Sequence, residues 1–498
     1  MSTPRSNLVV MKFGGTSVED AAAMKRTAAI VAGRRERGLQ PVVVVSAMAR
    51  VTDQLLAAAS AAGRGEREVA LAAALKLRQR HLDTAQDFAG HRHIEELAHL
   101  LNQHFDALDD LLRGICAVGE LTPRTNDLVL SFGERTSSLI VAQGFTQRHL
   151  PAAHVDAREC ILTDANFGKA APDEAAIEQR LLERVLPLLE RGLTPVMGGF
   201  IGSVRQSDPP TQGSPAQDAP RHDAPKQGAT TTLGRGGSDY TAALVGGGLH
   251  AGAIEIWTDV NGIMTTDPRI CSDALRVKAI SFEEAAELAY FGAKVLHPAT
   301  ILPAVQKSIP VWVLNSRNAG NEGTRIEAVA AAHSTSPFKS IAAKKRLTII
   351  DIVASRMLMS HGYLKAVFDV FDRYRCPIDM VSTSEVSISL TVDSNEQLPA
   401  ICAELGRIAD VKYEGRKALI CLVGENIRGQ NGIAGRVFSA ISHINVRMIS
   451  QGASEINMSF MIDEEDVEAA VRSLHKEFFT DPDPRVFDVE ARASSLAV

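Results

Sequence analysis

Seven residues near the N-terminus, Lys12-Phe13-Gly14-Gly15-Thr16-Ser17-Val18, put a cation, two glycines and two hydroxyls side by side. They follow the apolar run Leu8-Val9-Val10-Met11, which reads as a buried strand. Thr16-Ser17-Val18-Glu19 matches a capping box and predicts a helix running from there to about Glu36. A strand, a glycine turn and a helix start aim backbone N–H groups at one point, where an anion such as phosphate is stabilised. Lys12 adds a mobile positive charge at that point. The same residues fit a plain tight turn beside a solvated lysine, and the motif alone does not choose. It is neither Gly-x4-Gly-Lys-Ser/Thr nor Gly-x-Gly-x-x-Gly.

Further clusters carry chemistry. Gly133-Glu134-Arg135 follows Leu128-Val129-Leu130, an apolar run read as a strand. The stretch from Thr230 to Thr241 is a second glycine-rich turn that holds Arg235 and Asp239. Trp257-Thr258-Asp259 ends another apolar run, Asp267-Pro268-Arg269 follows, and Phe291-Gly292-Ala293-Lys294-Val295 supplies one more lysine. Taken singly these are a surface ion pair, a turn and a solvated helix lysine. His297 before Pro298 reads as a packed or capping histidine without a catalytic role.

The elements that must position these groups alternate. Pro41–Val45, Thr194–Met197, Ala253–Trp257 and Ile309–Leu314 are apolar runs separated by helical patterns, including a long Ala/Leu/Arg-rich stretch from Glu68 to Leu112. Continuous apolar strands between helices predict a mostly parallel α/β sheet covered on both faces, with ligands at the carboxyl ends of its strands. From Val204 to about Ala229 the chain is rich in Pro, Asp, Gln, Ser and Gly, and reads as a flexible insertion at 204–229. Beyond residue 345 an internal repeat appears. Val367-Phe368 matches Val437-Phe438, Ile378 to Ser382 matches Val446 to Ser450, and Val386 to Leu390 matches Ile456 to Phe460. Each copy predicts a ferredoxin-like βαββαβ unit. The expected domains are thus 1–335, 345–410 and 415–485.

Composition narrows the function classes. Apolar residues are 45% of the chain and charged residues 22%, as in a protein with a sizeable core. A net charge of -6 argues against nucleic acid as partner, and no apolar run is long enough for a membrane span. Six scattered cysteines, none in a Cys-x-x-Cys pair, and an N-terminus without signal-peptide features predict a cytoplasmic protein with reduced thiols.

In their order along the chain, these motifs resemble the aspartokinases of the amino-acid kinase superfamily, and the repeat resembles that family's paired ACT regulatory domains. The resemblance implies a three-layer αβα, carbamate-kinase-like domain followed by two ACT domains. It implies ATP-dependent phosphorylation of the L-aspartate side-chain carboxylate, with Mg²⁺, at the first step of lysine, threonine and methionine biosynthesis. A carboxylate nucleophile is already ionised at neutral pH, so the obstacle is its repulsion from a polyanionic triphosphate. Lys12 and the amides of Gly14 and Gly15 are expected to stabilise the transferring phosphoryl group, with Asp239 orienting the lysine or the Mg²⁺ shell. By resemblance, Thr258, Asp259, Met264, Arg269, Lys294 and Val295 line the nucleotide site; Met264 stands where the family often carries Tyr. Arg235 suits the α-carboxylate of aspartate and Glu134 its α-ammonium. Thr52 matches a family substrate contact, with Ser46 beside it. No protein metal ligands are assigned.

Met357 to Leu364 and Asp379 to Glu385 resemble the effector segments of lysine-sensitive members. Asp379 and Glu385 suit a lysine ε-ammonium. Met357 and Ser384 fall in the same segments, and backbone near Ser360, Gly362 and Leu364 suits the effector's other end. Threonine is the rival effector. The implied assembly is a homodimer through the ACT domains, or a tetramer. The chain's end at Val498 leaves no room for a fused homoserine dehydrogenase, so a monofunctional enzyme is expected. Other amino-acid kinases, and a non-catalytic amino-acid sensor, are the competing readings.

Overall fold

The computed structural model describes residues 5–90, 94–205, 228–291, 300–328, 337–353, 362–393, 396–452 and 454–489. It divides into two compact units. One comprises residues 1–262 and 296–328, the other residues 263–295 and 329–498.

The first unit contains strands β1 (Arg5–Phe13), β2 (Gln40–Val45), β3 (Ala152–Val155), β4 (Thr194–Gly198), β5 (Ile201–Val204), β6 (Thr230–Thr232), β7 (Ala251–Thr258), β8 (Val311–Asn315) and β9 (Thr324–Glu327). Its helices include α1 (Ala21–Glu36), α2 (Val51–Gly63), α3 (Arg67–Ala89), α4 (Ile94–Val118), α5 (Pro123–Gln147) and α6 (Gly237–Leu249). Within this unit the strands of the main sheet run β9-β8-β7-β1-β2-β4-β3, and they pair parallel except for β8 with β9. Leu8 to Phe13 and Pro41 to Val45 are all buried, which explains their unbroken apolar runs: both faces of the sheet are covered. The apolar faces of α3 and α4 close one side of this core through Leu77, Phe88, Leu101, Phe105 and Leu112.

Two local expectations are corrected. The capping box at Thr16–Glu19 does not start a helix. A 3-10 turn spans Gly15–Ser17, and Asp20 caps α1, its side chain accepting the Ala23 N–H at 2.8 Å. Both segments satisfy the N-cap rule, and the nearer one is taken by the turn. Leu128–Leu130 is not a strand. It lies inside the 25-residue helix α5, which Thr122 caps and Pro123 opens. Residues all around that helix are buried, so its sequence lacks the amphipathic stripe that separates a helix from a buried strand. Most of the 204–229 insertion lies outside the described residues.

In the second unit β10 (Ser340–Val353), α7 (Tyr363–Arg373), β11 (Ile378–Thr383), β12 (Ser387–Asp393) and α8 (Leu398–Leu405) are followed by β13 (Asp410–Val423), α9 (Ile433–Ala440), β14 (Met448–Gln451), β15 (Asn457–Asp463) and α10 (Val467–Phe479). The strands form one antiparallel sheet in the order β11-β12-β10-β13-β15-β14. The two 14-residue strands are shared between the repeats. Val353 to Ile349 of β10 pair with Asp410 to Glu414 of β13, whereas Ser340 to Lys344 pair with Val423 to Leu419. Each repeat therefore borrows its fourth strand from its neighbour, and a division at residue 345 cuts through β10.

Residues 263–295, expected with the first domain, cluster with the repeats. Thr265 Oγ1 lies 2.9 Å from His475 Nε2 of α10. The helix Phe282–Tyr290 is held by a buried pair, Lys339 Nζ to Glu284 Oε2 at 2.9 Å, and by Asn457 Nδ2 donating to Glu287 Oε2. All six cysteines are free thiols.

Candidate active site

The carboxyl ends of β1, β2, β4 and β7 meet, and backbone hydrogen bonds stitch their turns together. Gly14 N–H donates to Trp257 O, Ser46 N–H to Phe13 O, and Gly199 N–H to Val45 O. This is where a parallel sheet collects ligands. The turns approach so closely that a Cβ on Gly15 would sit 3.0 Å from the Ala47 carbonyl oxygen, and one on Gly198 would sit 2.9 Å from the Glu134 Cβ. Both places leave little room for a side chain.

Lys12 projects from β1 and is mostly buried. Its Nζ lies 2.7 Å from Asp239 Oδ1 in the first turn of α6. That oxygen has no hydrogen-bond partner, so the lysine ion pair is its one polar contact among the described residues. Gly236, with φ of 73°, turns the chain into α6 and points the helix N-terminus toward the same region.

Glu134 is held in the interior of α5. Its Oε1 accepts the Ala47 N–H at 3.1 Å, while Oε2 is buried without a partner among the described residues. Burial pushes this carboxyl up to about 8, against a weaker pull downward from the Ala47 N–H. Ser46 is held through its carbonyl, which accepts from Ser137 Oγ at 2.8 Å, and Thr52 sits in the first turn of α2. Arg235 is exposed in the turn before α6, with no ion-pair partner among the described residues.

Thr258 ends β7 and Asp259 follows it, the Thr258 hydroxyl donating to Asp259 Oδ1 at 3.2 Å. Met264 and Arg269 belong to the second unit. Met264 accepts Ser340 Oγ at its carbonyl, and Arg269, highly exposed, grips Asp267 with Nε at 3.0 Å and Nη2 at 2.6 Å. Lys294, Val295 and His297 lie outside the described residues, as do Met357 and Ser360.

The remaining effector candidates sit in the first repeat. Gly362, with φ of 80°, caps α7, Leu364 is exposed, and Ser384 bonds Ser387 across the β11–β12 turn. Asp379 is already engaged. Lys344 Nζ reaches its two oxygens at 2.9 and 2.8 Å, and Tyr290 OH donates to it at 3.1 Å. Burial and then the Asp379 charge push the Tyr290 hydroxyl up to about 12. Glu385 is exposed.

Sequence reading missed several positioning groups. Arg80 donates to Ala49 O and Glu19 O, tying the turn after β2 to the start of α1. Ser17 Oγ donates to Ser316 Oγ at 2.8 Å. Asp127 lies seven residues before Glu134, and that spacing signals a shared face only once the segment is known to be helical.

Comparison with known proteins agrees with this architecture. The Amino acid kinase family model matches residues 7–315, and an ACT domain model matches residues 420–478. Lysine-sensitive aspartokinase 3 of Escherichia coli K12 is 37% identical over 487 residues, covering 95% of this chain and 100% of that protein. The crystal structure of E. coli aspartokinase III in complex with aspartate and ADP (R-state) matches with a TM-score of 0.79 at 35% identity, over 95% of this chain and 100% of that one. The structure of the same enzyme with lysine and aspartate (T-state) matches with a TM-score of 0.77 at 36% identity and the same coverage.

Proposed function

The chain belongs to the aspartokinases of the amino acid kinase family, and from that premise we propose that it transfers the γ-phosphoryl group of ATP to the side-chain carboxylate of L-aspartate, under feedback control by L-lysine. A carboxylate oxygen attacks the γ-phosphorus, the bond to the β,γ-bridging oxygen breaks, and ADP leaves with the electron pair. The products are 4-phospho-L-aspartate and ADP. No proton moves, so the protein needs no general base, and positioning with charge neutralisation carries catalysis.

The observation that supports this reading best is one end of one sheet holding a lysine and a carboxyl in reserve. Lys12, aimed by Asp239, offsets charge on the transferring phosphoryl group, beside the Gly14 and Gly15 amides. Among the described residues Glu134 Oε2 has no partner, which suits the α-ammonium of aspartate, and Arg235 has no ion pair, which suits its α-carboxylate. Thr52 and Ser46 flank that position. Thr258, Asp259, Met264, Arg269, Lys294 and Val295 are assigned to the nucleotide. Mg²⁺ carried with ATP would draw negative charge from the phosphates, and Asp239, a carboxylate whose Oδ1 has only Lys12 beside it among the described residues, would suit it on the protein side. These intact groups favour an enzyme over a non-catalytic sensor.

Lysine as effector rests on the lysine-sensitive relative and on two carboxylates, Asp379 and Glu385, in the first repeat. Edge strands β11 and β14 expose Val381 and Ile449 at matching repeat positions, which supports pairing of two copies through the repeats, a tetramer being the larger alternative. Free thiols and the absence of a long apolar helix among the described residues fit a cytoplasmic location. Aspartate-dependent ADP release from Mg·ATP tests the whole reading, with lysine, threonine and methionine added separately. Turnover suppressed by lysine alone is expected. Turnover indifferent to lysine removes the effector assignment, and no turnover with aspartate removes the substrate.

A further inference from the structure

Asp127 is fully buried in the second turn of α5, and its carboxylate accepts three hydrogen bonds. Gly168 N–H donates to Oδ2 at 2.8 Å, Thr232 N–H to Oδ2 at 2.9 Å, and Thr232 Oγ1 to Oδ1 at 2.9 Å. One carboxylate thus fastens three chain segments that are far apart in sequence. What it fastens matters for chemistry. Seven residues on, about two turns along the same face of α5, stands Glu134. Three residues beyond Thr232 stands Arg235, and four further stands Asp239, the partner of Lys12.

The turn between Thr232 and Arg235 is short and confined. Thr232 O accepts Ala170 N–H at 2.9 Å, Leu233 N–H donates to Phe200 O, and Gly237 N–H to Gly234 O. Gly234 has φ of 75°, and a Cβ there would sit 3.2 Å from Gly168 O, the residue whose N–H Asp127 also holds. Arg235 itself makes no ion pair among the described residues, so the backbone anchored at Thr232 is what places it.

We propose that Asp127 is a positioning residue that sets the separation between Glu134 and Arg235, and so fixes the enzyme's fit to the two charged ends of its amino-acid substrate. This rests on the assignment of Glu134 and Arg235 to aspartate. The carboxylate touches no substrate. It joins the helix that carries Glu134 to the strand that leads into the Arg235 turn, and its three donors hold it as an acceptor. An asparagine would still accept both backbone N–H groups and donate to the Thr232 hydroxyl, so the decisive variant is Asp127→Ala, which leaves all three donors without their acceptor and loosens the Thr232–Arg235 turn without removing any ligand-binding group.

The expected result is a rise in KM for aspartate of about tenfold, with kcat and KM for ATP changed by less than about threefold. Thr232→Val removes one donor to the same carboxylate, keeps the β-branched shape, and is expected to raise the aspartate KM by about threefold. It carries the test if Asp127→Ala does not fold. A destabilised enzyme with no aspartate-specific change in KM, or kcat and both KM values worsening together, overturns the role. Glu134→Gln and Arg235→Ala measured alongside separate the two layers. If they raise the aspartate KM and the Asp127 and Thr232 variants do not, positioning fails and the substrate assignment stands. If none of the four moves it, the substrate assignment falls and the positioning role falls with it.

Discussion

The proposed catalytic turns and the first regulatory repeat each hold a compensated carboxylate, Asp239 by Lys12 and Asp379 by Lys344, but the turns also keep ionisable groups without a partner among the described residues. At the end of the parallel sheet Glu134 Oε2 is buried without a partner and Arg235 is unpaired, among the described residues. In the repeat, Asp379 is already neutralised by Lys344 at 2.8 Å, and the same ammonium reaches Asp393 at 3.2 Å. A buried carboxyl without a partner keeps its proton until a ligand brings the opposite charge. A compensated charge responds only to a ligand able to displace or share its partner. The first arrangement suits turnover of one substrate, and the second suits a switch with a threshold. The second repeat sharpens the contrast. Arg447 stands where the first has Asp379, and Lys417 pairs with Glu414 and Asp463. That copy offers no carboxylate at the matching position for a lysine ammonium.

The largest effect expected within the catalytic turns is from Lys12→Ala, which should lower kcat by about 10²–10³-fold. Unchanged circular dichroism with lost ADP release confirms a local electrostatic role; retained turnover removes Lys12 from phosphate chemistry.

Glu134→Gln comes next. The Glu134 carboxyl titrates at about 8 in the empty site against an ordinary value of 4.5. The native state thus keeps a proton that the unfolded chain releases between those values, and ionising it erodes folding stability as pH rises from about 4.5 to about 8. An α-ammonium needs the ionised form. The aspartate KM of the wild type should therefore fall by about tenfold per pH unit up to about pH 8 and then level off. The glutamine variant should show a higher, pH-independent KM and a flatter melting-temperature profile. A wild-type profile that is flat from pH 6 to 9 shows that Glu134 is not held in reserve.

On the regulatory side, Asp379→Ala should keep basal activity and raise the lysine concentration for half inhibition by about tenfold or more. Lys344→Met is the sharper probe. If the internal ammonium competes with the effector, its removal should lower that concentration by about threefold. Loss of sensitivity instead makes Lys344 part of the effector site and erases the contrast between the two regions. The smallest effect is expected from Arg269→Ala, about threefold on the KM for ATP, because this exposed guanidinium is already divided with Asp267. A change in the aspartate KM would place Arg269 elsewhere.

By itself the sequence determined what short-range periodicity encodes. Apolar runs became β1, β2, β4, β7 and β8, and the spacing near 70 residues became two strand-and-helix copies. Glycine clusters marked where the chain must turn at the carboxyl ends of strands. Local rules failed where two segments met the same rule, as at Thr16 against Asp20, and where burial all around α5 erased its stripe. Tertiary structure alone decided the partners. Asp127 meets Gly168 and Thr232 across 41 and 105 residues of chain, Lys344 meets Asp379 across 35, and β10 and β13 lend half their lengths to each other's repeat. Hydrogen bonds and ion pairs act over a few ångströms of space, and only the folded topology says which distant residues come that close.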